Sequence, residues 1–529
     1  MKSRLWRKLL IPLLAVALAG CSGSDGGSDV IIAGGDSGGG NNPPPPPDPQ
    51  TLVFDYPNFP VGGQLTLVSP FQPPGETSAV TAEVFAAVQE GPFSSLARMT
   101  LGKAVAVADS EPAILQAPCG TSDVASLTTL MGEGSGGRNG ADILSQAVPT
   151  IRPRFQELPE GAEEKFFLIT AFKSVQAKKV LEPSETVHCT IFAELDGQGN
   201  PCITRQKALQ VATAFDSNNP NRPGSGIYDQ VRNAFGSEWN QNPLGGNDGD
   251  TKVVLFFFRS ATLGSGLFGY TSPIDQSPTP SELSNKAEIV YVNADKDLIQ
   301  TLSTLAHEFQ HLINQNEKIV RQGTFPAGAQ DENVSVNEGL SQLAEEICGF
   351  DFDNGNTLLV DVCNDYLSRP DEHQFFDFFA AGLGYGQGYL YFKYVREHFG
   401  DATIRAIATS PEVGKANLDA QLPPGFDETF RRWTVANYAT NLGGAVPSIY
   451  RYPSGFQTNG NYDAGQLVGV QSFLLSSEGF ANLGAWSVAY QTFPGGSGDD
   501  VRLIVDTAPG SPVGVVVEAA RGTFTAFDE

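Results

Sequence analysis

Leu305-Ala306-His307-Glu308-Phe309-Gln310-His311-Leu312 is the stretch whose reading decides the fold. It lies within Leu298–Asn316, where Leu302, Leu305, Phe309, Leu312 and Ile313 recur at helical spacing. On a helix, residues four apart stand about 40° apart around the axis and one turn along it. His307 and His311 can therefore reach one metal ion, and Glu308 stands beside them, able to hold a water. The chain has only 5 histidines, so two of them meeting by chance in an H-E-x-x-H frame is improbable. A short β-branched strand precedes this helix at Glu288–Asn293, and a second helix follows at Val336–Cys348. That order of strand, helix and helix predicts an α+β fold.

A catalytic zinc takes three protein ligands and keeps an open position. The second helix carries Asn337-Glu338-Gly339-Leu340-Ser341-Gln342-Leu343-Ala344-Glu345-Glu346. Glu338 and Glu345 are seven apart and share one helix face to within about 20°. One of them can bind the metal while the other accepts a hydrogen bond from a ligand histidine. By spacing alone, both could equally be solvated glutamates on an amphipathic helix.

Working outward, Lys252–Phe258 has the composition of a buried strand, and Arg205–Asp216 and Ile227–Trp239 have helical patterns. Glu164–Val175 and Val187–Glu194 read as strands, as do Gln64–Val68, Ala79–Val88 and Ala104–Ala108 nearer the start. Gly388–Phe399, Asp401–Ala408 and Asp427–Ala439 read as helices; from Gly443 onward short strands return. The expected organisation is a β-rich N-terminal domain over 51–199, a metal-binding domain over 200–442 and a β-rich C-terminal domain over 443–529.

The first twenty residues have a basic start, an apolar run at Leu9–Leu18 and small residues before Cys21, the pattern of an export signal. Leu18-Ala19-Gly20-Cys21 resembles the bacterial lipoprotein cleavage box, which implies an acylated Cys21 and a membrane anchor. Ser22, rather than Asp, follows it; in Gram-negative lipoproteins that favours the outer membrane or cell surface. Residues 21–50, rich in Gly and Ser and ending near the run Pro43–Pro47, read as a tether. Export permits disulfides, and local spacing favours pairing Cys189 with Cys202 and Cys348 with Cys363, leaving Cys119 free. The net charge of −26 repels phosphate backbones and argues against nucleic-acid partners. Asp351-Phe352-Asp353-Asn354-Gly355-Asn356 offers oxygens to Ca²⁺ but misses the EF-hand spacing, so no calcium motif is present.

H-E-x-x-H followed by a helix bearing Asn337-Glu338-Gly339 resembles the gluzincin zinc peptidases, whose fold is zincin-like. A narrower resemblance, to the hyicolysin-like peptidases, runs from about 226 to 440. It includes Phe235-Gly236-Ser237-Glu238-Trp239 and Gly269-Tyr270-Thr271-Ser272-Pro273-Ile274-Asp275. The resemblance implies one Zn²⁺ held by His307, His311 and Glu338, Glu308 as general base, and Glu345 beside the ligands. The spacing of 26 residues between His311 and Glu338 exceeds that of thermolysin-like and aminopeptidase-like members and keeps Glu345 open as third ligand. The oxyanion-stabilising Tyr maps onto Tyr385, with Tyr389 and Tyr391 as alternatives; His373 or His398 could serve instead as electrophile. Protein or peptide substrates are implied, lying antiparallel along an edge strand at Glu288–Asn293. Phe375, Phe376, Phe378 and Phe379 fit a core better than a substrate groove. An aminopeptidase needs an acidic pocket for the substrate amine, and no G-x-M-E-N-type segment is found, so an endopeptidase fits better. A surface-binding or adhesive lipoprotein with an inactive peptidase core is the alternative of another class. The residues do not indicate an oligomeric state.

Overall fold

The computed structural model describes residues 50–56, 58–59, 64–73, 81–90, 119–120, 154–239, 246, 248–276, 283–321, 331–354, 356–380, 383–440, 442, 446–454, 473–474, 478–494, 498–507 and 513–518. The export signal, Cys21, nearly all of the tether and the strand expected at 104–108 lie outside the described residues.

A seven-stranded mixed sheet carries the chemistry. It is built from β4 (Cys119–Gly120), β5 (Glu163–Leu168), β6 (Lys173–Lys179), β7 (Cys189–Glu194), β8 (Val253–Phe258), β9 (Gly269–Thr271) and β10 (Ile289–Asn293), in the order β4-β9-β10-β8-β7-β6-β5. The three central strands β7, β8 and β10 run parallel. β8 is Val-Val-Leu-Phe-Phe-Phe because both of its faces are covered. Val253, Leu255 and Phe257 join the helical core, while Val254, Phe256 and Phe258 join an aromatic cluster with Phe166, Phe192 and Tyr291. This alternation is the strand period of two. β10 is an interior strand, between β8 and β9, rather than the edge expected from the sequence. The three-residue antiparallel strand β9 was too short for its pattern to be read.

On one face of the sheet pack α1 (Arg205–Asp216), α2 (Ile227–Phe235), α3 (Leu298–Gln315), α4 (Val334–Ile347), α5 (Thr357–Ser368), α6 (Tyr385–Phe399), α7 (Asp401–Thr409), α8 (Gly414–Gln421) and α9 (Gly425–Ala439). α5 and α8 are helices that the periodicity did not announce. α5 begins at Asn356, whose side chain accepts from the Leu359 amide, an N-cap within the stretch weighed for calcium.

The two ends of the chain do not form separate β domains. β1 (Gln50–Tyr56), β2 (Gln64–Pro70) and β3 (Thr81–Glu90) interleave with β11 (Phe473–Leu474), β12 (Glu478–Gly484), β13 (Val488–Pro494), β14 (Val501–Thr507) and β15 (Gly514–Glu518). The sheets run β1-β14-β3-β12 and β11-β13-β2-β15. Each end alone presents an apolar face, and the two sheets bury those faces together through Leu65, Leu67, Val84, Leu483, Phe493, Leu503 and Val505. The strands of 163–194, expected in the N-terminal domain, belong instead to the seven-stranded sheet. The sandwich rests on α9 through Val68, Val488, Tyr490 and Val435. Among the described residues no helix is long and apolar enough to cross a membrane.

The expected disulfides are absent, and Cys189, Cys202, Cys348 and Cys363 are free thiols. The Cys202 amide donates to Glu194 O, so Cys202 lies opposite the far end of β7 from Cys189. Five strand residues span about 17 Å, well beyond the Cα separation of roughly 4.4–6.8 Å that a disulfide needs. Cys348 ends α4 beside Asn219, whose Nδ2 donates to its carbonyl at 2.7 Å. Cys363 lies on α5 with its backbone against Gly386 of α6.

Candidate metal centre

α3 is started by a capping box. The Asp297 side chain accepts from the Gln300 amide at 2.8 Å, and the Gln300 side chain accepts from the Asp297 amide. Every residue from Thr301 to Asn314 is buried, so His307 and His311 are interior histidines. α4 crosses α3 and brings Glu338 to them. Glu338 Oε2 lies 3.2 Å from His307 Nε2 and 3.4 Å from His311 Nε2. One ligand atom from each of the three residues lies within 4.8 Å of the others.

α4 reaches this position because α6 packs closely behind it. A Cβ at Gly339 would stand 2.7 Å from the Phe392 ring and 2.8 Å from the Gly388 carbonyl carbon. The glycine of the Asn-Glu-Gly motif thus admits the backbone of α6, and the neighbouring Glu338 is held against α3.

Glu345, one of the two candidates for third ligand, is placed on the other side of His307. Its Oε1 is 2.9 Å from His307 Nδ1. Its Oε2 accepts from Asn356 Nδ2 at 2.7 Å and from the Ser303 hydroxyl. A carboxylate at Nδ1 holds the proton there and leaves the Nε2 lone pair toward Glu338. His311 has its own partners: Nδ1 lies 3.1 Å from Asn337 Oδ1 and 3.0 Å from Ser341 Oγ. Ser303, Ser341 and Asn356 were not singled out in the sequence. Ser303 is one turn before His307 and was recoverable from spacing; the reach of Asn356 to Glu345 is tertiary.

The electrostatics suit a cation. Burial alone would raise the Glu338 carboxyl, but the adjacent imidazoles of His311 and His307 more than offset it and hold it at about 2. Glu338 Oε1 and His311 Nε2 are buried and have no hydrogen-bond partner among the described residues. Two orphaned donor atoms of the right chemistry, directed at one point with His307, fit a His₂Glu metal site.

Glu308 is fully buried on the β9 side of α3, where a Cβ at Gly269 would come within 2.9 Å of its Cγ. Tyr385, at the start of α6, has its ring 6.3 Å from that of His307 and packs edge-on against Phe378 at 4.9 Å. The alternatives lie elsewhere. The Tyr389 hydroxyl donates to Glu346, and Tyr391 packs among Phe375, Phe426 and Trp433. His373 lies against Tyr366 and Asp365, and His398 Nε2 is 2.8 Å from Arg451 O. Phe375, Phe376 and Phe378 are core residues, whereas Phe379 is 40% exposed.

No family model matches the chain. Over 210 residues it is 29% identical to the neutral metalloprotease ShpI of Staphylococcus hyicus. The match covers 38% of this chain and 39% of that protein. The relationship is therefore to part of a metalloprotease.

Proposed function

We propose that this chain is a zinc-dependent metalloendopeptidase of the gluzincin type, acting on proteins or peptides outside the cytoplasm. The observation that carries the reading is the buried convergence of His307, His311 and Glu338. The partial similarity to a neutral metalloprotease supports the same class. The Leu-Ala-Gly-Cys box and the tether support a lipid anchor at Cys21 that holds the body off a membrane, on the outer membrane or cell surface of a Gram-negative bacterium.

His307, His311 and Glu338 would hold the ion, which in such a site supplies Lewis acidity and an activated water. The remaining chemistry belongs to the chain. Glu308, next to His307 and walled in by β9, takes the proton of the attacking water at its carboxylate and delivers it to the leaving amine. Burial keeps bulk water from competing for that proton. Tyr385 donates its phenolic hydrogen to the oxygen that gains charge as the carbonyl becomes tetrahedral. Glu345, Ser303 and Asn356 keep His307 in one tautomer.

The test pairs metal content with casein hydrolysis for the wild type and Glu308→Ala. One zinc in both proteins, with hydrolysis by the wild type alone, is the expected result. A folded wild type without zinc would overturn the reading in favour of a surface-binding protein.

A further inference from the structure

The outer edge of β9 is taken by the chain itself. β4 pairs parallel to β9 with Cys119 opposite Gly269 and Gly120 opposite Tyr270. β9 pairs in turn with β10, Gly269 opposite Val292 and Tyr270 opposite Tyr291. Val292 belongs to the helical core and Tyr291 to the aromatic cluster beyond the sheet. Laterally paired residues share a face, so positions 119 and 269 are both on the α3 face. On that face a Cβ at Gly269 would meet Thr304 Cγ2 at 2.5 Å and Glu308 Cγ at 2.9 Å. The register therefore sets the backbone of Cys119 one strand outward from the contact between β9 and Glu308. Independently, His311 Nε2 and Glu338 Oε1 are orphaned atoms of side chains more than nine-tenths buried, directed into the same site.

We propose that the segment carrying Cys119 is a built-in plug, in which β4 occupies the edge of β9 and the Cys119 thiolate closes the open position of the metal set by His307, His311 and Glu338. The inference rests on the metallopeptidase reading above. A thiolate is a strong zinc ligand, and a His₂Glu site leaves one position for it. On ligation the sulfur–metal bond forms, the thiol proton passes to solvent and the previous occupant of that position leaves. With β4 in place, an extended peptide cannot add to the same edge by main-chain pairing. Release of the segment uncovers the edge and the metal together.

The experiment loads the full chain with Co²⁺ in place of zinc. The wild type is expected to show a near-ultraviolet sulfur-to-cobalt charge-transfer band along with the visible bands of bound cobalt. Cys119→Ser keeps the visible bands, loses the near-ultraviolet band and hydrolyses casein without the latency of the wild type. A second measurement needs no substitution: iodoacetamide labelling of wild-type Cys119, located by peptide mapping, is expected to be blocked with metal bound and restored by a chelator. Visible cobalt bands without the charge-transfer band, or labelling indifferent to the metal, overturn the plug and leave the peptidase reading standing. A folded chain that binds no cobalt overturns both.

Discussion

Glu345→Gln separates the roles of the two glutamates on α4. In the wild type, the Glu345 carboxylate lies at His307 Nδ1 on one side and accepts from Asn356 and Ser303 on the other. Hydrogen bonds to charged groups contribute about 1.5–3 kcal/mol, against about 0.5–1.5 kcal/mol between neutral ones. Neutralising Glu345 thus costs the His307 contact about 1–1.5 kcal/mol, close to tenfold at about 1.36 kcal/mol per decade. The amide also has a donor end. Turned toward Asn356 and Ser303, it sets donor against donor and costs about 1 kcal/mol of stability. Turned toward His307, it forces the ring proton onto Nε2, the nitrogen that faces Glu338. We expect zinc affinity to fall about 10-fold or more, within the roughly 10–100-fold range for such supporting groups, with a lower melting temperature in the metal-free protein. Competitive titration against a zinc chelator near neutral pH measures the first, and scanning calorimetry the second. Zinc affinity within about twofold of wild type would refute the reasoning. A larger loss from Glu345→Gln than from Glu338→Gln would make Glu345 the ligand.

Tyr385→Phe should retain zinc and lower kcat about 100–1,000-fold with little change in KM, as expected for loss of one oxyanion donor; steady-state kinetics on a peptide substrate checks it, and an unchanged kcat would move that role elsewhere. Gly339→Ala forces a methyl group against Phe392 and Gly388, so we expect a loss of about 1–3 kcal/mol in denaturant unfolding and weaker zinc binding as Glu338 shifts. Asp275, which accepts from the Asn285 amide at 2.6 Å and from the Tyr291 hydroxyl at 2.7 Å, is pushed by burial up to about 7 from its ordinary 3.8. Between those two values the folded state keeps a proton that the unfolded chain has released, so stability falls as pH rises through that window. Asp275→Asn should flatten this slope, and melting temperatures at the two ends of the window test it: a difference from wild type that stays constant with pH would contradict the assignment.

The helices and inner strands around the metal centre were legible because each buries a stripe or a face that recurs at its own period. α3 and β8 are the clearest instances, within a residue of their expected bounds at nearly every end. α5 was missed because its signal is a cap at Asn356 rather than a long stripe. The two glutamates could not be ranked from the sequence, since residues seven apart share a face and both point at α3. What separates them is the height at which α4 crosses α3, set by the Gly339–Gly388 contact.

The sequence by itself determined the chemistry on offer: two histidines one turn apart, a glutamate between them, and two more glutamates in phase on the next helix. Helical geometry is local, and local spacing is all that such a pattern needs. Only the tertiary structure decided which glutamate faces both imidazoles and which carboxylate and amides support His307. It also decided that the two ends of the chain share one sandwich and that Cys119 lies beside β9. Those pairings join residues tens to hundreds of positions apart. They are selected by which apolar faces can be buried together, and no periodicity within either partner records that choice.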